Sequence, residues 1–149
     1  MSGTELRQTE ADALLGLAKI KVDDAQWRYP GVAGKIAVPL VSQDKRENFL
    51  LDIERGRIKL IKGKYQVRAR NVIILARLDF GGPFHRNPDG QDIPCPHLHL
   101  YREGHGLGWA IPVPLQSFPD IDDRWKTLHD FMRFCNVVDP PRIIKGLYV

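Results

Sequence analysis

Between Lys35 and Asp79 the chain runs through four segments rich in β-branched residues: Lys35 to Ser42, Asn48 to Glu54, Arg57 to Ile61 and Lys64 to Asp79. Only short polar or glycine turns part them, and that spacing predicts an antiparallel meander. With Arg55-Gly56 and Lys62-Gly63 as central turn residues, Asp52 faces Lys59 and Glu54 faces Arg57, while Lys59 faces Gln66 and Arg57 faces Arg68. Charges then gather on one face of the sheet. The same register puts Leu51, Ile53, Ile58, Leu60, Tyr65 and Val67 on the other face, as a helix-covered core requires. Val72 to Leu75 is apolar at every position, which predicts a long fourth strand at the centre of the sheet, covered there on both sides.

Helices flank this sheet. Leu6, Ala13, Leu14, Leu17 and Ala18 follow helical spacing from Thr4 to Ile20, with Thr4 as N-cap. Val22 to Gly34 reads as an irregular connection pinned by Trp27 and Tyr29. Downstream, a fifth strand spans Pro96 to Arg102, a glycine-rich turn covers Gly104 to Gly108, and a further strand covers Trp109 to Val113. A second helix starts near Asp120, buries Ile121, Trp125, Leu128, Met132 and Cys135, and ends before Pro140-Pro141; Arg142 to Val149 adds an edge strand. The expectation is an α+β fold: N-terminal helix, antiparallel meander of about five to six strands, and C-terminal helix packed on the sheet. Its 149 residues fit a single domain over 1–149.

With 43% hydrophobic and 27% charged residues, the chain has the composition of a packed soluble protein. No apolar run approaches the ~20 residues of a membrane span, and the N-terminus lacks a signal-peptide block. Two cysteines, Cys95 and Cys135, make neither a disulfide framework nor a zinc finger, so a reducing, cytoplasmic setting without membrane contact is expected. Net charge is +4, but residues 54–70 alone carry seven basic residues against Glu54. Such a local excess suits an anionic partner such as RNA, although solvated strand faces are often basic without one. Arg57, Lys59, Arg68, Arg70 and Arg102 are the candidate nucleic-acid contacts.

The most informative stretch is Cys95-Pro96-His97-Leu98-His99-Leu100-Tyr101-Arg102. Strand alternation sets Cys95, His97, His99 and Tyr101 on one face. Two histidines so spaced have Cα atoms roughly 6.7 Å apart, close enough to share one phosphate or one ion. A metal site needs further ligands, from His85, Asp89 or Asp92, and a metal-free site needs none. Cleavage of RNA calls for a base on the 2′-hydroxyl, an acid on the leaving oxygen and cations on the phosphate. His97, His99, Tyr101, His85 and Arg86 supply those group types and are the candidate catalytic residues, with no metal and no cofactor assigned. The same histidines are also compatible with ordinary hydrogen-bonded packing. Asn87-Pro88-Asp89-Gly90 is explained by turn mechanics alone.

No phosphate-binding loop, G-x-G-x-x-G, H-E-x-x-H or G-x-S-x-G occurs, so the chemistries those motifs serve lack support. The run Leu78-Asp79-Phe80-Gly81-Gly82-Pro83, His85-Arg86-Asn87-Pro88-Asp89-Gly90 and Ile93 to Gly104, with Phe131-Met132 and Pro140-Pro141 downstream, resembles an uncharacterised family of small bacterial proteins, a domain of unknown function. The histidine-bearing sheet is more loosely similar to small ribonuclease toxins of toxin–antitoxin systems. The resulting expectation is an RNA-directed cytoplasmic protein, a metal-independent endoribonuclease of that type. Its alternatives are a non-catalytic mobile-element protein that binds and modulates a macromolecular partner, with an antitoxin-like or regulatory protein as one such partner, or a metal-dependent enzyme using the His-x-His strand.

Overall fold

The structure of the protein, a computed structural model, describes residues 5–57 and 62–146. Helix α1 (Gln8–Gly16) leads into strands β1 (Lys19–Lys21), β2 (Gln26–Arg28), β3 (Lys35–Ser42), β4 (Asn48–Arg55), β5 (Gly63–Ala69) and β6 (Ile73–Phe80). Then come β7 (His85–Arg86), β8 (Asp92–Ile93), β9 (His97–Leu100), β10 (Ala110–Pro112), α2 (Arg124–Phe134), β11 (Val137–Asp139) and β12 (Arg142–Ile144). Eight strands form one sheet in the order β10-β9-β6-β5-β4-β3-β1-β11, while β2 pairs with β12 and β7 with β8. Within the large sheet only β1 and β11 run parallel. The class is α+β, with more strands than the sequence suggested.

The meander has a different register from the expected one. β4 pairs directly with β5, with Arg55 opposite Gly63, so Asp52 faces Gln66, Glu54 faces Lys64, and Leu50 rather than Arg57 faces Arg68. The Gly56 amide donates to the Lys62 carbonyl at 2.7 Å where the two strands meet. Of the expected strand Arg57 to Ile61, residues 58–61, including Lys59, fall outside the described residues. Gly63 explains the misreading. It is a strand residue, and a Cβ there would stand 2.7 Å from the Glu54 carbonyl oxygen and 2.7 Å from a ring carbon of Phe80. Glycine is required for that close crossing rather than for a turn.

The long fourth strand is likewise two strands, β5 and β6. Arg70 and Asn71 take left-handed φ of 52° and 67°, the geometry of a two-residue hairpin turn, and the Val72 amide closes it onto Ala69. Val72 is consequently 60% exposed, while Ile73 and Leu75 are buried. β6 is interior to the sheet, between β5 and β9.

At the N-terminus the helix is shorter than its periodicity implied. Leu17 leaves it with ψ 136°, and the chain re-enters the sheet as β1. Thr4 lies outside the described residues. The connection before Gly34 contains β2, which pairs with the tail strand β12. Helix α2 begins at Arg124, because Asp123 caps it by accepting from the Lys126 amide, and it ends where Asn136 turns to φ 58°. Leu128, Phe131, Met132 and Cys135 bury against Phe49, Leu51, Ile53, Tyr65, Val67, Leu78 and Leu98 from β4, β5, β6 and β9, joined by Leu14 of α1. Among the described residues no helix is long and apolar enough to cross a membrane.

With the core on one face of the sheet, alternation assigns the other face to polar residues. The registers align Asp52, Gln66, Arg77 and His99 in one row across β4, β5, β6 and β9, and Glu54, Lys64, Asp79 and His97 in the next.

Candidate functional site

These two rows meet at Arg77, Asp79, His97 and His99. β6 alternates Ala76, Leu78 and Phe80 into the core with Arg77 and Asp79 on the opposite face, and β9 brings His99 opposite Arg77 and His97 opposite Asp79. Nε2 of His97 and Nε2 of His99 each lie 3.3 Å from the same carboxylate oxygen, Asp79 Oδ2. Arg77 holds that carboxylate from the side, with Nη2 donating to Oδ2 at 3.1 Å and Nε in ion-pair contact with Oδ1 at 2.9 Å. Ligand atoms of Asp79, His97 and His99 all lie within 4.8 Å of one another, the spacing of a metal-binding set.

The loop from Gly81 to Ile93 brings a third imidazole to this group. Its small hairpin, β7 and β8, is fixed to β10 by Asn87, which is buried. The Asn87 side chain donates to the Ala110 carbonyl at 2.9 Å and accepts from the Ala110 amide at 2.8 Å, acting as one more strand residue. The His85 ring then packs edge-on against His99 at 4.6 Å and stands 6.0 Å from His97. Two consecutive carbonyls set the histidine tautomers. His85 Nε2 lies 2.9 Å from the Gly108 oxygen and His99 Nδ1 lies 2.8 Å from the Leu107 oxygen. A carbonyl only accepts, so those two nitrogens carry hydrogen, and a neutral ring then presents its lone pair at His85 Nδ1 and at His99 Nε2.

Burial and charge act on the same atoms. The side chains of His97 and His99 are 4% and 1% exposed, whereas Asp79 is 22% exposed and faces a cavity. Burial lowers the His97 pKa, opposed by Asp79 and the Pro94 carbonyl and helped by His99. Burial pushes the Asp79 carboxyl up, but His99 and Arg77 outweigh it and hold the group below the usual carboxylate range. The cavity measures about 340 Å³. Besides the three histidines it is lined by Arg55, Lys62, Lys64 and Arg77 against Glu54 and Asp79, an excess of positive charge that suits an anionic ligand.

Of the expected catalytic residues, the structure brings together His85, His97 and His99. Arg86 is on the surface, paired with Asp92 at 2.8 Å. Tyr101 lies beyond the end of β9, and its buried hydroxyl accepts from the Leu6 amide at 2.7 Å and donates to the Leu6 carbonyl at 3.1 Å. Asp89, whose carboxylate accepts from the Gln91 amide, and Asp92, paired with Arg86, do not join the two strand histidines; the carboxylate beside them is that of Asp79 on the neighbouring strand. The expected nucleic-acid residues do not form one patch. Arg68 is held by two hydrogen bonds to Asp52, Arg70 pairs with Glu47, and Arg102 stacks on Trp109 at 4.2 Å. Arg57 is exposed beside a shallower pocket with Arg55 and Lys62.

Asp79, Arg77 and the basic trio Arg55, Lys62 and Lys64 are the functional candidates that sequence reasoning missed. The signal for the first two was present, since an arginine and an aspartate two apart in an apolar strand need a shared polar face. No curated protein and no solved structure matches the chain significantly. The model of a family of unknown function, DUF6978, does match residues 6–137, so the chain belongs to that family.

Proposed function

We propose that the protein is an RNA-directed enzyme that cleaves a phosphodiester bond in the cavity above Asp79, His97 and His99. One observation supports this reading: three imidazoles and the Asp79 carboxylate converge at a cavity whose wall also carries Arg55, Lys62, Lys64 and Arg77, against Glu54. In the reaction, the ribose 2′-oxygen bonds to phosphorus as the bond to the 5′-oxygen breaks. A base takes the 2′-proton, an acid protonates the 5′-oxygen, and cations hold the phosphate. Burial shifts the roles from those expected of the strand pair. His97 and His99 offer almost no surface to a substrate and form the inner part of the centre. His85, with its Nε2 hydrogen committed to Gly108, keeps Nδ1 as proton acceptor at the cavity wall, next to Arg77. Two free thiols fit a reducing cytoplasmic setting for such an enzyme.

The test is incubation of the folded protein with end-labelled RNA, with and without added divalent metal. Wild type should give fragments ending in 2′,3′-cyclic phosphate and leave DNA of the same sequence intact. His85→Ala should slow cleavage by about 10²–10⁴-fold. RNA left intact by folded wild type under every metal condition overturns the reading.

A further inference from the structure

His99 poses a problem that the protein's own hydrogen bonds do not solve. With the Nδ1 hydrogen committed to the Leu107 carbonyl, a neutral ring presents a bare lone pair at Nε2. That lone pair lies 3.3 Å from Asp79 Oδ2, which is also an acceptor, in a place 1% exposed to solvent. A lone pair and a carboxylate facing one another repel unless something positive, a proton or a cation, lies between them. An extra proton on Nε2 would answer this only by pointing along the line to Oδ2. Nε2 has no aligned hydrogen-bond partner, and neither has Asp79 Oδ1, despite its ion-pair contact with Arg77.

A cation resolves what a proton does not, because ligand lone pairs converge on a point off the line joining the two atoms. At zinc–nitrogen and zinc–oxygen distances of about 2.0–2.2 Å, two ligands at the tetrahedral angle stand about 3.4 Å apart. Both contacts in this centre, His97 Nε2 to Asp79 Oδ2 and His99 Nε2 to Asp79 Oδ2, measure 3.3 Å. The surroundings are those of a metal ligand set. His99 donates the hydrogen of its other ring nitrogen, Nδ1, to a backbone carbonyl, and Arg77 holds Asp79 by its guanidinium.

We propose that Asp79, His97 and His99 bind one divalent transition-metal ion of the zinc class in tetrahedral geometry, with the fourth position open to the cavity. Two neutral imidazoles and one carboxylate leave the bound ion with a net positive charge, matched to an anionic ligand entering between Arg55, Lys62 and Lys64. The site stands on its own geometry; it adds a metal to the RNA-cleaving centre described above without depending on that activity.

The experiment reads metal alone. Full-length protein is stripped with a chelator, dialysed, and titrated with zinc by calorimetry and with cobalt(II) by visible absorption. Wild type should bind one equivalent per chain and give the intense visible bands of tetrahedral cobalt. Asp79→Asn, His97→Gln and His99→Gln should each weaken binding by more than about 100-fold, set against the 10–100-fold that even an outer-shell change costs. His105→Gln and His129→Gln, at two exposed histidines, should bind as wild type does. Circular dichroism confirms folding, and if Asp79→Asn does not fold, the two strand variants decide. Folded wild type that takes up no stoichiometric zinc overturns the site, as does zinc binding undiminished in both His97→Gln and His99→Gln. RNA cleavage is not measured, so failure here and failure of the RNA reading are separate results.

Discussion

Lys19 is fully buried, and its ammonium donates to the carbonyls of Leu15 at 2.7 Å, Leu17 at 2.9 Å and Cys135 at 2.7 Å. It ties the end of α1 to the end of α2, and burial pushes its pKa down to about 8, opposed by Cys135. Between that value and the ordinary 10.5 the unfolded chain binds more protons than the folded one, so stability rises as pH climbs through this window. Below about pH 8 the penalty of the buried charge is present in full. Lys19→Met should lose about 2–4 kcal/mol at neutral pH, because three carbonyls lose their donor. It should also lack the wild-type gain in stability above pH 8; urea midpoints that run parallel for the two proteins across the window would contradict this. Tyr101 is a second buried polar group with a structural task. Tyr101→Phe leaves the Leu6 amide and carbonyl without the hydroxyl, which should lower stability by about 1–2 kcal/mol while leaving RNA cleavage unchanged. Cleavage falling as it does for His85→Ala would return Tyr101 to the reaction.

Among the elements, the hairpin of β7 and β8 matters most to the site, and the Asn87 side chain fixes it to β10. Asn87→Ala removes both bonds to Ala110, leaving a buried amide and carbonyl unpaired at a cost of about 2–3 kcal/mol. Hydrogen exchange should then quicken across residues 85–93, and the imidazole of His85 should lose its fixed contact with His99. The sequence carried less of this than of the sheet. Alternation alone put His97 and His99 on one face and identified the stripe of α2, since those patterns depend only on local geometry. It did not reveal that Asn87 works as a strand residue, because Asn-Pro-Asp-Gly is equally a turn. Nor did it identify the partner of the histidines. Asp79 is eighteen residues upstream of His97 and becomes its neighbour only through the β6–β9 pairing, a long-range contact across the Gly81 to Pro96 loop. The register of β4 and β5 was misjudged at Gly63, where a glycine demanded by the Phe80 ring looks in sequence like a turn residue.

For the whole molecule, the distribution of paired charge decides where an anion can bind. Arg68 and Arg70 are held by Asp52 and Glu47 at 2.6 and 3.0 Å, whereas Arg55, Lys62 and Lys64 border the cavity, where Lys64 makes a longer contact of 3.7 Å with Glu54. Changing Arg55, Lys62 and Lys64 together to glutamine should reduce the salt slope of single-stranded RNA binding by about 2, each phosphate contact contributing about 0.7. Arg68→Gln with Arg70→Gln should change it less; equal effects of the two sets would show that the cavity has no privileged role. The central claim, that the histidine and carboxylate centre is where RNA binds, is tested most directly by nuclear magnetic resonance. Isotope-labelled protein is titrated with a short 2′-O-methylated RNA that cannot be cleaved through the 2′-oxygen. The account predicts shifts concentrated at His85, Lys62, Lys64 and Arg77, with Lys126 and His129 of α2, on the opposite face of the sheet, unmoved. Shifts confined to α2, or no shifts at the cavity at saturating RNA, would contradict it.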